Sequence, residues 1–260
     1  MIGVFDSGVG GLTILRRLRE RLPKHDFLYL ADQAHVPYGD RDADDLARLM
    51  RDNLAFLNAA GVDAVVVGCN TSCGVASQRG WPRSAAAIVD LIESAAVAVE
   101  RSGARRVGVL ATSATVRTHA YTRAIARRLP DAVVEEVAAP ALVPLVEAGI
   151  GGTQALAAVR AACEPFSEGI ETLVLACTHF PVLEPEFARV LGSRVPRIDP
   201  ALAHAEVAEA LVRERSFPDG GGRVRYVTTG DPAEFELAVR SLAGETDPDV
   251  TGRVLLPKTA

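Results

Sequence analysis

The stretch VDAVVVGCNT, residues 62–71, has an apolar residue, an acid and a neutral residue, followed by three apolar residues, a small residue, a cysteine and a polar pair. IETLVLACTH, residues 170–179, repeats this order of residue types at an offset of 108. IGVFDS (2–7) and VGVLAT (107–112) match at an offset of 105, and the Val-Pro pair at 36–37 returns at 143–144. Three matches in order and at nearly constant offset predict a duplicated unit.

Short apolar runs alternate with helical stretches along the chain, which predicts parallel sheets covered by helices. Runs such as AVVV and LVLA do not alternate in polarity, as expected for strands buried on both faces. The strand candidates are residues 2–5, 26–31, 63–68, 106–111, 172–176 and 223–229, and the clearest helix candidates are 12–22 and 44–61. FPDGGGR (217–223) is interpreted as a surface turn, and TTGDP (228–232) as a helix start with Asp231 as N-cap.

Composition excludes several classes of protein. The chain has 260 residues, and its 48% hydrophobic and 23% charged residues suffice for a full globular core. A net charge of −5 gives no reason to expect nucleic acid or an anionic membrane as a partner. No apolar run approaches the ~18 residues of a membrane span. The start MIGVF lacks a basic region and a cleavage site, so we predict no signal peptide and a cytoplasmic protein.

The four cysteines have to be explained one at a time, because a chain of this length with four thiols is not a disulfide framework. Ligands of open α/β sheets bind outside the carboxyl ends of the strands. Two halves facing each other would therefore place Cys69 and Cys177 at equivalent strand ends across one cleft. Thiols on opposite sides of a ligand suit chemistry that must reach both faces of a carbon atom. Cys73 and Cys163 have no equivalents in the repeat and are interpreted as packing residues.

Other motifs lie near the same strand ends. In FDSGVGGLT (5–13), the glycines Gly8, Gly10 and Gly11 permit close backbone approach, and Asp6 and Ser7 either cap the next helix or contact a substrate's polar head. In HVPYGDR (35–41), Tyr38 and neighbouring N–H groups could bind a carboxylate if the loop covers the cleft.

The second half offers matching groups. His179 follows Cys177 by two residues and could hold or relay a proton, although this pair alone would also fit a Cys-His hydrolase. Glu147 follows the repeated Val-Pro and either points into the cleft or is a solvated helix residue. The hydroxyls of Thr112, Ser113 and Thr115 could cap a helix or bind a charged group of a ligand.

Taken together, these motifs resemble the cofactor-independent glutamate racemases of the aspartate/glutamate racemase superfamily. The resemblance runs in order from residue 3 to about residue 240 and is carried by FDSGVGGLT, VPYGDR, CNT, VPLVE, CTHFP and YVTTGDPAEF. The resemblance implies an α/β fold with two pseudo-symmetric open parallel-sheet domains and the active site in the cleft between them. We place the first domain at residues 1–97 plus 208–260 and the second at 98–207.

The resemblance also implies interconversion of L- and D-glutamate for peptidoglycan synthesis by a homodimer, without cofactor or metal. Cys69 and Cys177 would be the two acid/base residues, Asp6 would assist Cys69, and His179 would assist Cys177 with Glu147 close by. The substrate contacts implied are Asp6, Ser7, Pro37, Tyr38, Gly39, Asn70, Thr71, Thr112, Thr115, Thr178 and His179.

Three alternatives remain at this point. Gly68, where the family usually has alanine, and other neighbouring departures leave room for another acidic amino acid such as aspartate. A Cys-His hydrolase or transferase would use only Cys177 and His179, and a non-catalytic amino-acid-binding protein would need neither thiol.

Overall fold

The computed structural model describes residues 1–166 and 169–253. Its strands are β1 (Ile2–Asp6), β2 (Phe27–Ala31), β3 (Ala64–Val67), β4 (Ala87–Asp90), β5 (Arg106–Ala111), β6 (Val133–Ala138), β7 (Thr172–Ala176), β8 (Arg197–Ile198), β9 (Val224–Thr228) and β10 (Asp249–Gly252). Its α-helices are α1 (Leu12–Arg21), α2 (Ala43–Ala59), α3 (Asn70–Arg79), α4 (Leu91–Ser102), α5 (Ser113–Thr118), α6 (Ala120–Arg128), α7 (Leu142–Glu147), α8 (Gly152–Cys163), α9 (Glu184–Leu191), α10 (Pro200–Glu214) and α11 (Pro232–Ala238). Short 3-10 turns cover Gln33–His35, Tyr38–Asp40 and Phe180–Leu183, and a π-helical turn covers Val239–Ala243.

The strands form two parallel sheets. The first has the order β10-β9-β2-β1-β3-β4 and the second the order β6-β5-β7-β8. Every strand pair is parallel, with β1 between β2 and β3 in one sheet and β5 between β6 and β7 in the other. The α/β fold with two open parallel sheets is therefore confirmed.

The four strands of the second sheet match four of the six strands of the first. The order β2-β1-β3-β4 of the first sheet corresponds to β6-β5-β7-β8 of the second, so the strands that carry the sequence repeat occupy equivalent positions. The repeated Val-Pro pairs differ locally, because Val36-Pro37 precedes a 3-10 turn whereas Val143-Pro144 lies within α7. The duplication thus extends through the sheets but not through every connection.

Burial explains which strands the sequence reveals. Every residue of β1, β2, β3 and β7 is buried, as expected for strands that are covered by helices on both faces. The six predicted strands are present, three of them one or two residues shorter than expected, two with the expected bounds, and β1 one residue longer. The sequence prediction missed β4, β6, β8 and β10, which are edge strands. In β6, Glu135 and Glu136 interrupt the apolar pattern, and β8 has only two residues.

Helix starts follow ordinary capping chemistry in several places. Asp42 accepts the N–H groups of Asp44 and Asp45 at the start of α2, and Asp90 does the same for Ile92 and Glu93 in α4. Asp231 caps α11 as predicted. Of the two roles considered for Asp6 and Ser7, the capping of α1 is wrong, since Gly11 is the N-cap and no side chain caps that helix.

The chain passes between the sheets twice, through α4 and α10. These helices pack against each other, and Ser94 of α4 lies 2.9 Å from Nδ1 of the fully buried His204 of α10. The predicted boundaries at 97/98 and 207/208 fall inside these two helices, and the domain limits stay a prediction. The last seven residues of the predicted first domain, 254–260, lie outside the described residues.

Candidate active site

A cavity of about 160 Å³ lies where the carboxyl ends of the two sheets face each other. Sites for drug-sized ligands occupy ~300–1,000 Å³, so this volume favours a smaller molecule. The predicted site residues that line the cavity are Asp6, Ser7, Pro37, Tyr38, Gly39, Cys69, Asn70, Thr71, Thr112, Glu147, Cys177, Thr178 and His179. Thr115 is the one predicted residue outside this wall.

The two strand-end thiols line this single cavity. Cys69 follows β3 by two residues and Cys177 follows β7 by one, so the matching strands deliver them to matching places. Both are free cysteines, and they are only 4% and 7% exposed. Cys73, buried in α3, and Cys163, at the end of α8, lie outside the cavity wall and pack in the apolar cores as expected.

The environment of Cys69 favours the protonated thiol. Burial, together with the nearby charge of Asp6, raises the pKa of Cys69 to about 11. Hydrogen bonds from Ser72 and Ser7 act in the opposite direction but do not offset the burial. At neutral pH this sulfur therefore carries a proton that it could donate.

Asp6 is fully buried beside the cavity. Its Oδ1 accepts the N–H of Gly8 at 2.7 Å, whereas its Oδ2 is buried without a hydrogen-bond partner. Burial raises the pKa of Asp6, while the Gly8 bond and the charge of His179 act in the opposite direction. A buried carboxylate oxygen without a partner is costly, in keeping with the raised pKa of Asp6.

On the opposite side, Cys177, His179 and Glu147 form a chain. Cys177 Sγ lies 3.7 Å from Nδ1 of His179, and Nε2 of His179 lies 3.5 Å from Oε1 of Glu147, within ion-pair distance but without a hydrogen bond. Burial alone would lower the pKa of His179, but contacts with Cys177 and Glu147 raise it to about 10. His179 is therefore an imidazolium at neutral pH, placed beside the Cys177 sulfur.

Replacing Glu147 with glutamine should lower the pKa of His179, because the variant removes the negative charge nearest to Nε2. The folded pKa lies above the ordinary 6.5, so protonation of His179 stabilises the fold below about pH 6.5, and this contribution is lost as the pH rises through about 10. In Glu147→Gln this contribution of His179 to stability should begin to disappear at a lower pH. Titrating the His179 ring by NMR checks this, with Glu214→Gln at the exposed end of α10 as the control. An unchanged His179 titration in Glu147→Gln would contradict the assignment.

The glycine-rich loop after β1 lies directly against the other half at Gly10. A Cβ added to Gly10 would lie 2.7 Å from Cβ of Thr178 and still closer to its hydroxyl, and one on Gly11 would lie 2.6 Å from Cβ of Asp6. Gly8 has ordinary space, with Val36 3.6 Å from an added Cβ. The predicted need for close backbone approach thus holds for Gly10 and Gly11, but not for Gly8.

Hydroxyl groups join the halves on another side of the cavity. Thr71 Oγ1 lies 3.1 Å from that of Thr112 and 3.5 Å from that of Thr115. Thr112 also caps α5 by accepting the N–H of Thr115, as expected from the motif. Thr115 reaches the cavity only through its contacts with these two hydroxyls. Asn70 accepts a 2.6 Å bond from Tyr121 of the second half, which holds the Asn70 side chain in place.

The hydroxyl of Tyr38 is bonded to other protein groups and does not serve the role considered for it, which was binding a ligand carboxylate. It donates to Asp32 at 2.5 Å and accepts from Asn53 at 3.2 Å, and the side chain is 3% exposed. What Tyr38 can offer to a ligand is therefore its ring and backbone, rather than its hydroxyl.

Sequence reasoning missed several wall residues, namely Val36, Asp40, Pro140, Val143 and Pro144, whereas Ser113, whose hydroxyl was considered for a ligand, does line the wall. Val36, Val143 and Pro144 belong to the repeated Val-Pro pairs, so the repeat itself carried the signal for them. Pro140 has no comparable signal. Gly68 does not line the cavity, but a Cβ there would lie 3.1 Å from Ile14 and 3.5 Å from Oδ2 of Asp6. Gly68 therefore lies behind the wall residue Asp6 and does not face the cavity itself.

Comparison with known proteins agrees with this geometry. A family described as Asp/Glu/Hydantoin racemase matches residues 7–208. The chain is 42% identical to the glutamate racemase of Gloeobacter violaceus over 241 residues, which cover 92% of this chain and 90% of that protein. It is 39% identical to the glutamate racemase of Desulforudis audaxviator, with 98% of each chain covered. The crystal structure of glutamate racemase from Francisella tularensis in complex with D-glutamate superposes with a TM-score of 0.88 at 27% identity, covering 98% of this chain and 97% of that one. The chain therefore belongs to the Asp/Glu/hydantoin racemase family.

Proposed function

We propose that this protein interconverts L- and D-glutamate by moving a proton on and off Cα. The observation that carries the proposal is the pair of strand-end thiols, Cys69 and Cys177, in the wall of one small cavity. A racemase that uses two bases needs one group on each face of the carbon. The duplicated sheets deliver one thiol from each half.

The unlike surroundings of the thiols suit opposite roles in a first step. Cys177 is the base, because its sulfur lies 3.7 Å from Nδ1 of His179, a ring that can hold or relay a proton. It takes the α-proton from one face of glutamate. Cys69, whose pKa is raised to about 11, delivers its proton to the opposite face. The reverse direction exchanges the two roles.

A thiolate with an ordinary pKa of ~8.5 is too weak a base to remove an α-proton unaided. The site must therefore stabilise the carboxylate as negative charge develops on it. Helix α3 begins at Asn70, directly after Cys69, and no side chain caps it. Its first-turn N–H groups and the positive end of its dipole lie at the cavity and can bind that charge. Burial of the thiols keeps bulk water from competing.

The substrate is proposed to be glutamate, with aspartate as the alternative, because the relatives are named glutamate racemases and the Francisella tularensis structure holds D-glutamate. Incubating the protein in heavy water with a panel of amino acids should place deuterium at Cα of L- and D-glutamate. NMR or mass spectrometry measures the exchange. Exchange on aspartate but not on glutamate would move the assignment to aspartate, and absence of exchange on every acidic amino acid would end the racemase proposal.

The cellular setting follows from the same proposal. We infer that the protein acts in the cytoplasm as a homodimer and supplies D-glutamate for peptidoglycan. Among residues 1–166 and 169–253, no helix is long and apolar enough to cross a membrane. Gel filtration with light scattering would measure the oligomeric state directly.

A further inference from the structure

Asp32, which does not line the cavity, is the centre of a buried hydrogen-bond network. It follows the last residue of β2 and is fully buried. Oδ1 lies 2.7 Å from Thr229 Oγ1 and 2.7 Å from His35 Nδ1. Oδ2 accepts from Tyr38 at 2.5 Å and from Asn53 at 3.2 Å. These four contacts fill the acceptor sites of a carboxylate, which has no donor of its own to offer.

The partners of Asp32 come from separate parts of the chain. Asn53 belongs to α2, and Thr229 follows β9, about 200 residues away in sequence. The backbone N–H of Asp32 also donates to the carbonyl of Asp6 at 3.1 Å. A carboxylate without solvent is costly to bury unless it is fully hydrogen-bonded, so these contacts specify one arrangement of the segments.

Tyr38 connects this network to the cavity. It lies in the segment 36–40, every residue of which lines the cavity. Burial and the charge of Asp32 raise the pKa of Tyr38 well above its ordinary value, so the phenol stays a donor. The next residue, Gly39, meets the second half, since a Cβ there would lie 3.2 Å from Cβ of Thr112. The segment thus reaches from the first sheet across the cleft.

We propose that Asp32 is a positioning residue for substrate binding, acting through the hydroxyl of Tyr38. By holding that hydroxyl, Asp32 sets where residues 36–40 stand against Thr112 and hence the shape of the cavity wall. The inference rests on the proposed racemase function for its kinetic consequence. The network itself exists whichever amino acid the cavity takes.

The kinetic test compares Asp32→Asn, Tyr38→Phe and the double variant. Asparagine keeps the shape of Asp32 but replaces one acceptor oxygen with an N–H₂ donor, so the four contacts that fix Tyr38 and its neighbours can no longer all be kept. A misplacement of about 1 Å can cost ~10²-fold, so we expect kcat/KM of Asp32→Asn to fall by ~10²-fold, mostly through a higher KM. If Asp32 acts through Tyr38, the double variant should be no worse than Asp32→Asn alone. Losses that multiply in the double variant, or a KM that does not change in Asp32→Asn, would overturn the proposal.

A milder variant guards against misfolding. Thr229→Val keeps the carboxylate but removes one donor from its far side, so KM should rise in the same direction by a smaller factor. Asp90→Asn is the matched control, since it makes the same change in a half-buried carboxylate that caps α4 at the end of β4. Its KM should equal that of the wild type.

Hydrogen exchange provides a readout that does not depend on catalysis. In Asp32→Asn, amides of residues 33–41 should exchange faster, while those of 92–100 in α4 should not change. Unchanged exchange at 33–41 would overturn the positioning role, even with a fully active enzyme. If the wild type exchanged no Cα proton of any acidic amino acid, the racemase proposal would fail. The amide hydrogen-exchange experiment would still decide whether Asp32 anchors residues 33–41.

Discussion

Replacing Cys69 with serine is expected to lower kcat/KM by ~10³-fold in both directions of racemisation. Positioned proton transfer contributes ~10²–10⁴-fold, and a serine hydroxyl is a far weaker acid than a thiol. Cys177→Ser should lose as much, because each direction needs one thiol as acid and the other as base. Circular dichroism of L- and D-glutamate solutions measures both directions.

The same pair of variants separates the remaining functional classes. A hydrolase that used only Cys177 and His179 would keep nearly full activity in Cys69→Ser. An amino-acid-binding protein would bind glutamate with little change in both variants, which calorimetry measures. Cys163→Ser is the control, since this buried thiol lies at the end of α8 and outside the cavity wall. Full racemase activity in Cys69→Ser would disprove the two-thiol mechanism.

Adding a single methyl group at Gly10 is the second change with a large expected effect. In Gly10→Ala the new Cβ would overlap Thr178, which belongs to the other half and follows Cys177 directly. The clash must push the glycine-rich loop and the Cys177 strand end apart. Overpacking costs ~1–3 kcal/mol of stability, and misplacement of a catalytic group can cost ~10²-fold in rate.

Denaturant unfolding and steady-state kinetics of Gly10→Ala measure these two effects separately. Gly151→Ala is the matched control, because nothing lies within 4 Å of a Cβ at that position and its φ of −117° suits alanine. We expect it to match the wild type in both measurements. A Gly10→Ala protein that also matched the wild type would show that the contact between the halves has no role in positioning the thiols.

The parts of this site that the sequence reveals are those set by local pattern and duplication. Cys69 and Cys177 could be paired because buried strands are apolar and parallel strands end on the same side. Edge strand β6 escaped detection because its glutamates break the apolar run. The contact of Gly10 with Thr178 has no local signature, since it depends on how two separately folded segments meet.

The Asp32 network could not be predicted for a related reason. Its partners Asn53 and Thr229 lie about 20 and 200 residues away, and no spacing rule connects them. A buried carboxylate is recognisable only once its donors surround it. Tyr38 illustrates the difference, because the motif suggested a ligand for its hydroxyl whereas the fold engages that group with Asp32.

The order of strands in the first sheet has a consequence for synthesis on the ribosome. Strand β9 pairs with β2, and β10 pairs with β9, yet both follow all four strands of the second sheet in the chain. The second sheet can therefore be complete while the first still waits for an edge that emerges about 200 residues after β2. Until then one edge of β2 has no partner strand, although all residues of β2 are buried in the folded protein. Unpaired strand edges of this kind can pair wrongly with other chains. The sheet whose strands β1 to β4 emerge before the second sheet is therefore completed after it.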